Sequence, residues 1–119
     1  MAQEDLRKKV DLAFLSAFYG GLLTEKQRRV LALHCEEDLS LGEIAADVGI
    51  SRQAVHETIS RAAARLNEME ASLGVAARFR RMEAGLQEAL DALKKTDYAR
   101  AEQLLGSLLA MDQEENNGL

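Results

Sequence analysis

Four side chains near the middle of the chain carry the chemistry of base recognition: Arg52, Gln53, His56 and Glu57, within the run ISRQAVHETISR from Ile50 to Arg61. An arginine can fork two N–H donors onto guanine O6 and N7, a glutamine can pair with adenine N6 and N7, and a glutamate can accept from cytosine. His56 suits a phosphate or a base acceptor. On a helix that starts at Arg52 these residues share a broad outward face with Ser60 and Arg61, and Ser51 stands just before them. Lys26, Arg28 and Arg29, one helix earlier, supply charge for phosphates. Ser51, Arg52, Gln53, His56, Glu57, Ser60, Arg61, Lys26, Arg28 and Arg29 are therefore the candidate nucleic-acid contacts.

Enzyme chemistry finds no comparable set. No glycine loop cradles a phosphate, and no nucleophile stands at a recognisable spacing from a base. The two histidines, His34 and His56, and the single cysteine, Cys35, lack metal-ligand spacing. Cys35 reads as a small packed residue and His34 as its half-buried neighbour. The sequence predicts no catalytic residue, no metal and no cofactor.

A contact face needs a frame, and Leu41 to Ser60 (LGEIAADVGISRQAVHETIS) has the composition of a helix-turn-helix. Two helices crossing steeply over a short turn require a small residue at the crossing and glycine at the turn, which Ala45 and Gly49 provide. Ile44, Val48, Ile50 and Val55 supply the apolar contacts between the pair. Ser40 with Glu43 forms a capping box for the first helix, and Thr24 with Gln27 forms another for the helix before it. Ser51 caps the second motif helix, with Ala54 where the reciprocal acid or amide would stand.

The whole chain agrees with an all-α fold. It has 119 residues, 47% hydrophobic and 29% charged, and no proline. Ala, Leu, Glu, Arg and Gln dominate, so long helices meet no local obstacle. No run of about 18 apolar residues and no signal-peptide core occurs, which predicts a cytoplasmic protein without membrane insertion. The net charge is −5, and Thr24 to Leu73 holds six basic residues against nine acidic ones. Strong DNA binders usually show a basic face. Lys26, Arg28, Arg29, Arg52, Arg61 and Arg65 would have to gather locally for the motif to grip a phosphate backbone.

Apolar spacing outlines the remaining elements. Leu6, Val10, Ala13, Phe14 and Ala17 mark an amphipathic helix over Asp5 to Tyr19, with Lys8, Lys9 and Asp11 outside, ended by Gly20 and Gly21. A helix from Glu25 to about Glu36 buries Val30, Leu31 and His34 or Leu33, and the acidic loop EEDLS leads to the motif. The second motif helix does not stop early: Val55, Ile59, Ala62, Leu66, Met69 and Leu73 continue at alternating spacings of four and three, the seam pattern of wound helices. After Gly74, the residues Phe79, Met82, Leu86, Ala89 or Leu90, and Leu93 repeat it to about Lys95, with Gly85 a mild weakness in the middle. A last stripe follows Thr96 and Asp97 at Tyr98, Ala101, Leu104, Leu105 and Leu108. The expected organisation is an N-terminal helix, motif and extended helix over 1–73 and a helical pair over 74–111 in the same compact unit, followed by a disordered tail over 112–119. Two such seams in so short a chain exceed what its own core covers, which predicts a homodimer through the Val55 helix, the Phe79 helix or both; the alternative is a monomer whose last two helices fold back on the Val55–Leu73 seam.

The residues LTEKQRRVLALHCEEDLSLGEIAADVGISRQAVHETISRAAARL resemble the C-terminal promoter-reading region of bacterial sigma factors. More closely, the chain resembles the YlxM-type family of small bacterial helix-turn-helix proteins. The marks are FYGGLLTEKQR at Phe18 to Arg28, SLGEIA at Ser40 to Ala45 after the acidic loop, and ISRQAVHETISR at Ile50 to Arg61. The resemblance spans Asp5 to about Leu93. It implies a sigma-region-4-like helix-turn-helix domain with an extended reader helix and a C-terminal helical hairpin. By function it implies a DNA-binding regulatory protein associated with the signal recognition particle pathway, whose partners would be DNA or that particle's RNA. Where sigma readers offer several arginines, this chain keeps Arg52 and has Gln53, Ala54, His56 and Glu57, and Thr58 stands at a usually apolar position. The alternative is a protein-interaction module that docks on targeting machinery without base readout.

Overall fold

The computed structural model describes residues 2–117. Six α-helices follow in order: α1 (Ala2–Tyr19), α2 (Glu25–Cys35), α3 (Leu41–Val48), α4 (Arg52–Leu73), α5 (Val75–Lys94) and α6 (Tyr98–Asn117), with a 3₁₀ turn, Gly20–Leu22, between the first two. The contacts divide the chain into two compact units, Met1–Ala76 and Ala77–Leu119, where a single unit was expected.

Local chemistry sets the helix limits. The Thr24 hydroxyl accepts from the Gln27 N–H at 3.1 Å while the Gln27 side chain accepts from the Thr24 N–H, and Ser40 and Glu43 do the same for α3. Ser51 caps α4 with the single bond its neighbours allow, accepting from the Ala54 N–H at 3.0 Å. At the turn of the motif Gly49 takes φ +78°, and its N–H and that of Ile50 both reach the Ala45 carbonyl. Gly74 closes α4 in the same left-handed region, at φ +64°. That region costs an L-residue with a Cβ about 1–2 kcal/mol, so glycine is the economical choice at both corners.

In the first unit α1, α2 and α3 all pack on α4. One cluster, Tyr19, Leu23, Leu31, Ala62, Leu66 and Met69, joins α1 and α2 to the far half of α4. A second, Val30, Ile44, Ala45 and Val55, locks the motif helices onto α2. Ile59 packs against both clusters. Thr58 next to it is half-buried, and its hydroxyl donates to the Ala54 carbonyl at 2.8 Å. Ile59 thus fills the packing role for which Thr58 is too polar. The α4 seam is consumed within its own chain, since Val55, Ala62, Leu66 and Met69 are buried and only Leu73 stays open. The expectation that this seam needs an external partner is corrected.

The rotation of α1 also differs from the expected one. Leu6 and Val10 are 63% and 56% exposed, and the face turned inward is Leu12, Leu15, Phe18 and Tyr19. The stretch LAFLSAFY is apolar around most of its circumference, so spacing alone admits two faces. Tyr19 decides between them. Its hydroxyl donates to Glu70 Oε1 at 2.6 Å and accepts from the Val75 N–H at 3.0 Å, while the same Glu70 oxygen accepts from the Ala76 N–H. Two of the orphan donors at the start of α5 are satisfied this way. The bonds also tie residues 75 and 76 to the first unit, which moves the division a few residues beyond the boundary expected at Leu73.

The second unit is a helical hairpin. Thr96 sits at φ +57° and donates to the Leu93 carbonyl, while the Asp97 N–H reaches Ala92, the bond pair of a Schellman end. Asp97 then caps α6 by accepting from the Arg100 N–H at 3.1 Å. The helices meet through small residues: Ala89, Ala92 and Ala101 are buried, and a Cβ on Gly85 would stand 2.4 Å from a Leu108 methyl. Gly85 is therefore the residue that admits Leu108. Farther along, Arg78 pairs with Asp112, and α6 continues through Asn117. The tail expected to be disordered from Asp112 is helical up to that point, with Asp112 paired to Arg78 of α5; Gly118 and Leu119 lie outside the described residues. The larger side chains Phe79, Leu86, Leu90 and Leu93 are exposed.

Candidate nucleic-acid interface

Beneath the candidate contact face the frame is closely packed. Ile44 and Val55 are fully buried and Ala45 nearly so, so the first two turns of α4 are held against α3 with their outer side unobstructed. Ser51, Arg52, Gln53, His56, Glu57, Ser60 and Arg61 are all exposed. Arg52 lies along the first turn of α3, where a Cβ on Gly42 would stand 3.6 Å from its Nε. That is ordinary contact: Gly42 leaves the guanidinium room to lie flat or swing out.

The six cations do not gather into one basic surface. Arg29 pairs with Asp47 at 3.1 Å, Arg61 with Glu57 at 3.1 Å, and Arg65 stands 4.0 Å from Glu68. Two of these partners sit three or four residues away on the same helix, a spacing that brings side chains together wherever acids and bases alternate. Exposed pairs of this kind are worth less than about 1 kcal/mol, so a phosphate can displace the acid, yet the local field is nearly neutral. Among the described residues Lys26, Arg28 and Arg52 carry no ion pair. Arg28 lies apart from the other two, in a crevice with Leu12, Ser16, Leu31 and Glu36 between α1 and α2. Lys26 and Arg29 line a shallow groove with Glu25, Asp47 and Val48.

On its other flank the reader helix borders α1. His56, Ile59, Ser60 and Ala63 form one wall of a cleft whose opposite wall includes Lys8, Lys9 and Leu12. Lys9 is more covered than a solvated helix face predicts, because it pairs with Asp38 of the acidic loop at 2.5 Å. Asp38 adopts φ +53° to meet it, and this bond holds its carboxyl below the usual range. Local spacing offered no reason to place Lys8 and Lys9 beside His56 and Ser60 of α4. The run Arg7, Lys8, Lys9 was the one visible signal.

His34 and Cys35 are half-buried as expected. Burial pushes the Cys35 thiol up, away from thiolate reactivity. His34 is held below its ordinary value of 6.5 first by burial and then by the Lys9 charge, which Asp38 partly opposes. Its Nδ1 is shielded from solvent and has no hydrogen-bond partner among the described residues. Among those residues no helix is long and apolar enough to cross a membrane.

Comparison with known proteins agrees with this frame. Residues 6–105 match the UPF0122 family model, described as "Putative helix-turn-helix protein, YlxM / p13 like". A UPF0122 protein of Halalkalibacterium halodurans is 40% identical over 107 residues, covering 90% of this chain and 96% of the relative. Another, from Symbiobacterium thermophilum, is 44% identical over 99 residues, covering 83% and 92%. A third, from Geobacillus kaustophilus, is 38% identical over 97 residues, covering 82% and 88%. With a match that runs from α1 into α6 and takes in both motif helices, the chain belongs to the UPF0122 family of YlxM / p13-like helix-turn-helix proteins.

Proposed function

We propose that this protein is a cytoplasmic nucleic-acid-binding regulator that reads duplex DNA with the first two turns of α4. The observation that carries the reading is the combination of a buried α3–α4 scaffold with an uncovered row of hydrogen-bonding side chains on its outer side. Arg52, Gln53, His56 and Glu57 take base edges, Ser51 and Ser60 flank them, Lys26 takes a phosphate directly, and Arg29 and Arg61 do so once Asp47 and Glu57 let go. With two to four phosphate contacts per subunit, the slope of log affinity against log salt is about −2 to −4.

So shallow a grip calls for two readers. Phe79, Leu86, Leu90 and Leu93 form an open stripe on α5, and a second copy packing there makes a homodimer whose readers meet half-sites about 34 Å apart. Light scattering at micromolar concentration tests this: a single 13.1 kDa species refutes it. The near-neutral surface of α4 favours the alternative in which the helical surface docks on a targeting protein without base readout, with the particle RNA as an intermediate case recognised by shape and phosphates.

The deciding experiment is an anisotropy titration of the full chain with genomic duplexes and with signal recognition particle RNA at several salt concentrations. Saturable binding that Arg52→Ala weakens by about 1–3 kcal/mol, with relaxed sequence preference, supports base readout. No binding to either nucleic acid at about 50 mM salt refutes it and leaves protein docking.

A further inference from the structure

We propose that the cleft between α1 and α4 is a binding site for a small organic anion, one with a carboxylate or phosphate attached to an apolar body. The cleft measures about 520 Å³, within the range of small-molecule sites. Its floor is apolar, built from Leu12, Leu41, Ile59 and Ala63, and its rim carries Lys8, Lys9, His34, His56 and Ser60 against one carboxylate, Asp5. Apolar side chains and basic, hydrogen-bonding ones together select a ligand with both characters, since an apolar molecule would leave Lys8, His56 and Ser60 unmatched and a bare ion would leave the apolar side chains wet.

The rim is unevenly committed. Lys9 is occupied by Asp38, whereas Lys8 carries no ion pair among the described residues. Lys8 and His56, on opposite walls, are therefore the groups that hold the anionic end, with the Ser60 hydroxyl as a further donor. His34, half-buried and with an unpartnered Nδ1 among the described residues, lines the same cleft. The body of the ligand rests on Ile59 and Leu41.

The position gives the site a consequence that rests on the reading of α4 as the nucleic-acid reader. His56 and Ser60 belong to both surfaces, so a ligand in the cleft withdraws two contacts from the reader. Ligand and nucleic acid then oppose each other, each weakening the other by the same factor.

Both histidines of the chain line the cleft, which makes their two imidazole C–H proton signals a direct readout. The full chain is titrated at constant pH and ionic strength with benzoate, adenosine monophosphate and inorganic phosphate. At least one of the two organic anions should shift both signals saturably, at a concentration about tenfold lower than inorganic phosphate. Lys8→Glu, at an exposed site, should weaken that binding about tenfold with unchanged helical circular dichroism. Absence of saturation by any probe at about 10 mM overturns the site, as does equal binding by phosphate alone or by the Lys8→Glu variant. Displacement of a labelled duplex by the bound anion then tests the antagonism separately. Saturable histidine shifts without displacement keep the site and refute its control of the reader, and the shifts need no nucleic acid, so they stand or fall independently of it.

Discussion

Leu66→Ala separates the two apolar stripes of this chain most sharply. Leu66 is 0% exposed at the centre of the cluster that joins α1, α2 and α4. Removing three carbons from a site whose neighbours, Tyr19, Leu31 and Met69, are pinned by their own helices leaves a cavity that collapses only partly, and the cost is about 3–4 kcal/mol. A 76-residue unit holds roughly 4–11 kcal/mol in total at about 0.05–0.15 per residue. The loss is therefore a large fraction of the whole, and at about 4–8 °C per kcal/mol the melting temperature falls by about 12–32 °C. Leu86→Ala on α5, at 49% exposure, removes the same atoms from a half-wet face and costs under about 1 kcal/mol in the isolated chain. Urea unfolding followed by circular dichroism measures both at low protein concentration. A Leu66→Ala cost below about 1 kcal/mol, or one no larger than that of Leu86→Ala, would falsify the assignment of the α4 seam to the core.

Three further outcomes follow from named contacts. Gly49→Ala puts a Cβ at φ +78° where no atom obstructs it, so its cost of about 1–2 kcal/mol is backbone strain alone; an unchanged urea midpoint would mean that the turn relaxes. Tyr19→Phe leaves the Val75 N–H without its acceptor and removes a donor from Glu70, at a cost of about 1–3 kcal/mol. Hydrogen exchange at Val75 should accelerate with it, and a variant as stable and as protected as the parent contradicts the corner network. His34 is depressed in the folded state, chiefly by burial, so the unfolded chain takes up its proton first. Its contribution to stability is complete above about pH 6.5 and is lost as the pH falls from there toward the folded value. His34→Gln should flatten that part of the urea-midpoint profile, and a slope that survives the substitution assigns it to other groups.

The parts of the site legible in the sequence are those made by residues close together in the chain. A capping box needs Ser40 and Glu43 three positions apart, and the turn needs Gly49 at the end of a short helix. The limits of the motif helices, both boxes and the exposure of Arg52, Gln53, His56 and Glu57 came out as the spacing indicates, because backbone N–H groups three and four residues on are the partners in every conformation that forms the helix at all. The basic surface failed by the same logic applied incompletely: Glu57 is four residues from Arg61, as near as any partner could be.

Contacts between residues distant in the chain decided the rest. The stretch LAFLSAFY offers α1 two apolar faces of similar strength, and only the meeting of Tyr19 with Glu70 and Val75 chooses one. The α4 and α5 stripes read alike along the chain, yet α1, α2 and α3 cover the first, whereas the hairpin packs through Gly85, Ala89 and Ala101 and leaves Phe79, Leu86, Leu90 and Leu93 of α5 exposed. Lys8 and His56, 48 positions apart in the numbering, share a cleft because α1 folds back along α4. From sequence alone this protein is a capped, all-helical chain with a helix-turn-helix; its tertiary structure decides which faces remain exposed, because burial is settled by the partner an element meets and local periodicity does not specify that partner.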